Sequence, residues 1–236
     1  MGLIRDSLIS VINDLKGNRP CFHSEDDFKF ALAWKIKEKY SDADIRLEKP
    51  MPKYKERSQR KYLDIFLEFP CDSKRRVGIE VKYITAELKA SINGEGYDLA
   101  SHLAYPVRCY DCLLDIKRLE RFIELKELDY GYALWLTNDE NFWQPPKDEK
   151  RKTTYDNFRI FEGRTIKKGE DLKWGSRASK GTKNGRKKSI KLEHRDYTIN
   201  WELYERISET AIMLTNGSKT INKPNNEFEY SLNEIT

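Results

Sequence analysis

Three residues in two short apolar stretches have the types and spacing to do chemistry. Asp64 sits in Tyr62-Leu63-Asp64-Ile65-Phe66, and Glu80 and Lys82 sit in Gly78-Ile79-Glu80-Val81-Lys82-Tyr83. In a strand the side chains alternate, so Glu80 and Lys82 lie side by side while Val81 points into the core. Pro70-Cys71-Asp72-Ser73 reads as a turn. It folds the two stretches into an antiparallel pair and brings Asp64 beside Glu80. Two carboxylates that close repel unless positive charge lies between them. A hard divalent cation such as Mg²⁺ takes oxygen ligands of this kind. Lys82 is then placed to help activate a water or to stabilise charge developing on a phosphate. The plain alternative is a set of charges on half-exposed strands. The apolar residues on either side of all three argue against a wholly solvated face.

Other elements must hold these strands. Phe28, Ala31, Leu32 and Ile36 recur at helical spacing after Ser24, a fitting N-cap, and Glu25, Asp26 and Asp27 suit the positive end of the helix dipole. A short strand, Asp44 to Glu48, stops before Pro50. Lys61 to Phe69 and Arg76 to Ile84 alternate with period two. A helix follows from about Val107 to Lys126, then a strand from Tyr130 to Thr137. The order α-β-β-β-α-β predicts an α/β core over residues 1–144. Asp115 and Arg118 are spaced for a helical i,i+3 pair. Asp115 lies near the apolar stripe and reads first as structural, with substrate positioning as the alternative.

The 236 residues are 38% hydrophobic, 12% aromatic and 35% charged. That is enough for a core and argues against general disorder. No run of apolar residues is long enough to span a membrane, and the N-terminus lacks the apolar stretch of a signal peptide. Four sparse cysteines fit a reduced, cytoplasmic protein. The net charge of +5 is unevenly placed. Lys147 to Lys191 holds 16 Lys and Arg against 6 Asp and Glu, so a basic segment sits on an acidic body. Such a segment suits a polyanionic partner, or is simply a solvated loop. Residues 145–215 read as a basic, β-rich extension packed on the core, with short β-like pieces at Ser189–Leu192 and Asp196–Trp201 and a short helix around Trp201 to Leu214. Residues 216–236 read as a loose polar tail.

Asp64, fifteen residues, then Glu80-Val81-Lys82 resembles the signature of the PD-(D/E)xK phosphodiesterases, the restriction-endonuclease-like fold. The resemblance spans roughly residues 22–140, with helix, hairpin, helix and strand in the expected order. Leu63 stands where the signature has proline. The resemblance implies an α/β (α+β) fold with a mixed central sheet flanked by helices, in an uncharacterised microbial branch of the superfamily. It implies Mg²⁺, with Mn²⁺ as a substitute, held by Asp64, Glu80 and the backbone carbonyl of Val81, and Lys82 positioning or deprotonating the attacking water. Many members add an acid from the first helix, and Glu25 is the candidate here because it shares the inward face with Phe28 and Leu32. Equally, Glu25 does no more than complement the helix dipole. The implied activity is metal-dependent hydrolysis of DNA, with RNA left open, a homodimer among the assemblies allowed, and a restriction or defence setting. Lys173, Arg177, Lys180, Lys183, Arg186, Lys187 and Lys188 then read as contacts to backbone phosphates. Trp174, Tyr197 and Trp201 either stack on bases or, the favoured reading, form a small core. The alternative function is a non-catalytic nucleic-acid-binding or regulatory module on the same fold.

Overall fold

The computed structural model describes residues 5–54, 61–70, 73–102, 104–148, 152–208, 211 and 225–236. Helix α1 (Arg5–Lys16) buries Leu8, Val11, Ile12 and Leu15, one stripe at helical spacing. Helix α2 (Glu25–Lys39) begins where expected. The Ser24 hydroxyl accepts the Asp27 N–H at 3.1 Å, and three acids fill the first turn. Strands β1 (Asp44–Pro50), β2 (Tyr62–Phe69) and β3 (Arg75–Ile84) follow, then a hairpin of β4 (Leu88–Ile92) and β5 (Glu95–Leu99). Helix α3 (Tyr105–Glu124) leads into β6 (Tyr130–Thr137) and the single turn α4 (Glu140–Trp143). The remaining pieces are a 3₁₀ turn at Asp156–Phe158, β7 (Thr165–Ile166), β8 (Tyr197–Thr198), β9 (Glu202–Arg206) and β10 (Glu227–Ile235).

One mixed sheet organises the molecule, in the order β1-β2-β3-β6-β10-β9. Only β3 and β6 run parallel, and α3 makes the crossover between them. Helices α1 and α2 pack on one face, against Ile65, Leu67, Val77, Ile79, Val81 and their neighbours. Helix α3 packs on the other, over Phe66, Ala133 and Trp135. The chain is therefore α+β with a mixed sheet between helical layers. Among the described residues no helix is long and apolar enough to cross a membrane.

The C-terminal third departs from expectation in two places. The segment from Trp201 forms the edge strand β9 instead of a helix, so far as it is described. The supposed polar tail contains β10, which pairs with β6 from Gly131↔Ile235 to Thr137↔Glu229 and lies inside the sheet. Phe228, Tyr230 and Leu232 alternate with Glu227, Glu229 and Ser231. That period-two pattern is masked by polar residues on the second face; residues 212–224 lie outside the described residues. Among the described residues of 145–215, β-structure comprises the two-residue pair β7–β8, a bridge between Leu172 and Ile190, and the edge strand β9. The apolar side chains of this segment, Phe158, Ile166, Leu172, Leu192 and Ile199 among them, anchor irregular backbone onto α3. Trp174, Tyr197 and Trp201 belong to this packing.

Truncation before β10 is expected to abolish cooperative unfolding. Phe228, Tyr230, Leu232 and Ile235 are all buried, at about 1.5–3 kcal/mol each. Their sum is comparable with the roughly 5–15 kcal/mol that stabilises a domain. A far-UV melt of a chain ending before Asn225 checks this. On the same strand, Glu229 has its pKa pushed up to about 7, first by burial and then by Glu227 and Glu162. A carboxyl whose pKa is raised by folding costs nothing below its unfolded value and its full penalty above its folded one. Glu229→Gln should therefore leave the melting temperature unchanged near pH 4 and raise it at about pH 8. One kcal/mol corresponds to about 2–4 °C for a chain of this size.

Candidate active site

The site grows from a parting of two strands. β2 and β3 pair from Phe69↔Arg75 to Ile65↔Ile79 and then separate, while β3 continues along β6 to Ile84. Val81 and Tyr83 are left with N–H groups aimed at the gap. A buried N–H without a partner is costly, and two carboxylates fill the role. Asp64 Oδ2 accepts from Val81 N at 2.8 Å, and Glu25 Oε2 accepts from Tyr83 N at 3.0 Å. Asp64 comes from β2 and Glu25 from the first turn of α2, so the gap draws both acids to the end of β3.

Glu80 and Lys82 project from the same stretch of β3 toward α3. Lys82 Nζ lies 3.1 Å from Asp115 Oδ2 and 4.0 Å from Glu25 Oε1, and donates to the Val81 carbonyl at 3.0 Å. Arg118 bridges Glu80 Oε1 at 3.0 Å and Asp115 Oδ1 at 3.1 Å. Asp64, Glu80, Val81, Lys82 and Glu25 thus lie around the same end of β3. Asp115 and Arg118 join them as members of one ionic network. On the α2 side Lys29 touches Asp26 at 3.1 Å, Asp64 Oδ1 at 3.7 Å and, most closely, Glu48 of β1.

Burial sets the electrostatics. Glu80 is 2% exposed and Asp115 3%. Burial raises the pKa of Glu80 well above the carboxylate range; Arg118 pulls it down, while Asp115 and Asp64 push it up. Asp115 is raised by burial too, with Lys82 and Arg118 opposing. Burial acts on Glu25 in the same direction, against Lys82 and the Tyr83 N–H. Burial alone would lower Lys82, but Asp115, Glu25, Asp64 and Glu80 outweigh it and hold the ammonium charged.

The donors suit a hard cation. Asp64, Glu80 and the Val81 carbonyl offer only oxygen. Although Glu80 Oε1 is close to Arg118, it receives no well-formed hydrogen bond. Asp64 Oδ1 faces Lys29 beyond hydrogen-bond distance. Among the described residues no three carboxylates, imidazoles or thiols gather closely enough to hold a metal by themselves. Two carboxylates fit Mg²⁺, which keeps several waters and takes further oxygens from phosphate. A cavity of about 520 Å³ lies elsewhere, between Lys53, Lys117, Arg121 and Lys191, and includes none of these groups.

The basic segment reaches the same side of α3. Arg186 forms a two-pronged ion pair with Asp111, both contacts 2.6 Å, and so is not a free phosphate contact. Its carbonyl accepts from Trp174 Nε1, and the Lys188 carbonyl accepts from the Tyr110 hydroxyl. Asp111 precedes Asp115 by one turn, about 6 Å along the helix. The loop is therefore latched next to the carboxylate network. Lys173 pairs with Asp171 at 2.6 Å, and Arg177 donates to the Lys152 carbonyl. Among the described residues, Lys180, Lys183 and Lys187 make no ion pair, while Lys188 has a partner.

Sequence reading missed Lys29 and Glu48. Lys29 was detectable, because it lies four residues after Glu25 on the same helix face. Glu48 gave no signal. In comparisons with known proteins, no family model and no curated protein matches the chain.

If the basic loop contacts a nucleic-acid backbone, changing Lys180, Lys183 and Lys187 together to glutamine flattens the salt dependence of DNA binding by two to three phosphate contacts. Each contact contributes about 0.9 to the slope of log K against log salt. Asp111→Ala frees the loop and should weaken binding without that loss of slope. Fluorescence anisotropy across a salt series reads both.

Proposed function

We propose that the chain is a metal-dependent nuclease of the PD-(D/E)xK, restriction-endonuclease-like type, acting on DNA. The observation that carries this reading is the meeting of Asp64, Glu80 and Lys82 where β2 and β3 part, with the Glu25 carboxylate closing the same gap. Asp64, Glu80 and the Val81 carbonyl would hold Mg²⁺. When bound, Mg²⁺ supplies positive charge to the phosphate oxygens and favours ionisation of an attacking water.

The chain's own groups do the rest. Lys82, held as an ammonium, serves as a positive charge beside the phosphate instead of as a base. It orients the water and balances the negative charge that builds as the water oxygen bonds to phosphorus and the ester oxygen leaves. Asp115 and Glu25 hold Lys82 in place from two sides. Arg118 opposes the burial that raises the Glu80 pKa and holds the carboxyl in place. The latched basic loop sets the nucleic-acid backbone alongside α3.

A second reading, a non-catalytic nucleic-acid-binding module on this fold, is favoured by the extent to which Lys29, Lys82 and Arg118 already balance the carboxylates. Cleavage of plasmid DNA with Mg²⁺ or Mn²⁺ separates the two. Asp64→Asn, Glu80→Gln and Lys82→Ala are each expected to lower single-turnover cleavage by about 10²–10³-fold, the scale of losing one electrostatic contact in a site. Glu80→Gln should keep the wild-type melting temperature, because Arg118 retains Asp115. Wild-type protein that binds DNA and leaves it intact with both metals supports the second reading and overturns the first.

A further inference from the structure

Lys29 has no part in the signature residues, yet it is the most enclosed ammonium on the α2 side of the site. Its side chain is 10% exposed and faces three carboxylates, Asp26, Glu48 and Asp64. Burial would lower its pKa, but the contacts to Glu48 and Asp26 outweigh this and keep it charged. The position relative to Asp64 matters most. Oδ2 of Asp64 is committed to the Val81 N–H, which leaves Oδ1 as the oxygen open to a metal. Lys29 is the charge facing that oxygen.

Glu48 is placed to hold the ammonium. The β1–β2 ladder runs through Leu47↔Ile65 and Lys49↔Leu63, which sets Glu48 opposite Asp64. At this point Glu48 has φ of 49°, in the left-handed region. A non-glycine residue seldom adopts it, and such conformations cluster at functional sites. The Glu48 carboxylate meets the Lys29 ammonium, which stands 3.7 Å from Asp64 Oδ1.

We propose that Lys29 is an internal counter-ion that holds the place of a divalent cation beside Asp64, and that on metal entry its ammonium withdraws from Asp64 while Glu48, already its closest partner, retains it. The proposal rests on the metal-site reading above. A dication at Oδ1 and an ammonium a few ångströms away repel strongly at partly buried positions, so one leaves as the other arrives. Metal affinity is then set partly by a lysine outside the ligand set. Removing its charge makes the empty site more negative and strengthens metal binding. A lysine that merely supported the fold would, on removal, weaken it.

Calorimetric titration of the full chain with Mn²⁺ tests this. Lys29→Met is expected to bind Mn²⁺ about tenfold more tightly, the change that 1.4 kcal/mol makes. Lys29→Arg should stay close to wild type. Glu48→Gln, which removes the carboxylate that retains the ammonium, should bind Mn²⁺ more weakly, and it keeps the test open if Lys29→Met fails to fold. A folded Lys29→Met protein with unchanged or weaker Mn²⁺ affinity overturns the proposal, as does Glu48→Gln with tighter affinity. The nuclease reading has a separate readout. Lys29→Met should lower the Mn²⁺ concentration that gives half-maximal cleavage. The expected calorimetric shifts in proteins that cut no nucleic acid would refute the nuclease and leave the counter-ion in place.

Discussion

Two backbone N–H groups organise the site. Beyond Ile79 the third strand has no neighbour on one edge, and Val81 and Tyr83 must find acceptors that another strand would otherwise supply. Carboxylates from β2 and from the start of α2 provide them. Hydrogen bonds to ionised groups are stronger than ordinary backbone pairs, so this edge is held as firmly as a ladder. The same arrangement gathers acidic charge at one point. A requirement of backbone hydrogen bonding thus delivers the electrostatics of the site.

The charge must then be balanced, because buried carboxylates are costly when unpaired. Lys82, Arg118 and Lys29 do this from three directions and from three elements, β3, α3 and α2. Helix α3 contributes twice. Asp115 and Arg118 complete the network, and Asp111, one turn earlier, latches the basic loop through Arg186. A single helix therefore fixes both the carboxylate network and the basic loop beside it.

Much of this was legible in the sequence because it follows short-range rules. Period-two alternation placed Glu80 and Lys82 together and Ser24 marked the start of α2, while Cys71 and Asp72 of the expected turn lie outside the described residues. What escaped depends on long-range pairing or on unusual backbone. β10 alternates, but its second face carries Glu227, Glu229, Ser231 and Asn233, of which Ser231 and Asn233 are buried, and that polarity hid the strand. The helix expected after Trp201 gave way to an edge strand because β10 supplies a partner for Leu203 and Glu205. Arg186 looked like any other cation in a basic run, since only the fold brings Asp111 to it. Glu48 lacks every signal for a left-handed residue.

The position of β10 also has a consequence for how the molecule is made. The strand lies between β6 and the edge strand β9, yet it joins residues about a hundred positions apart along the chain. During synthesis the first hundred and forty or so residues can form their helices and the β1–β2–β3–β6 sheet, but they present an open β6 edge until the last strand arrives. Contacts of such long range slow folding, and an unpaired strand edge invites association with other chains. In the interval before β10 docks, the β6 edge is therefore open to pairing with other chains.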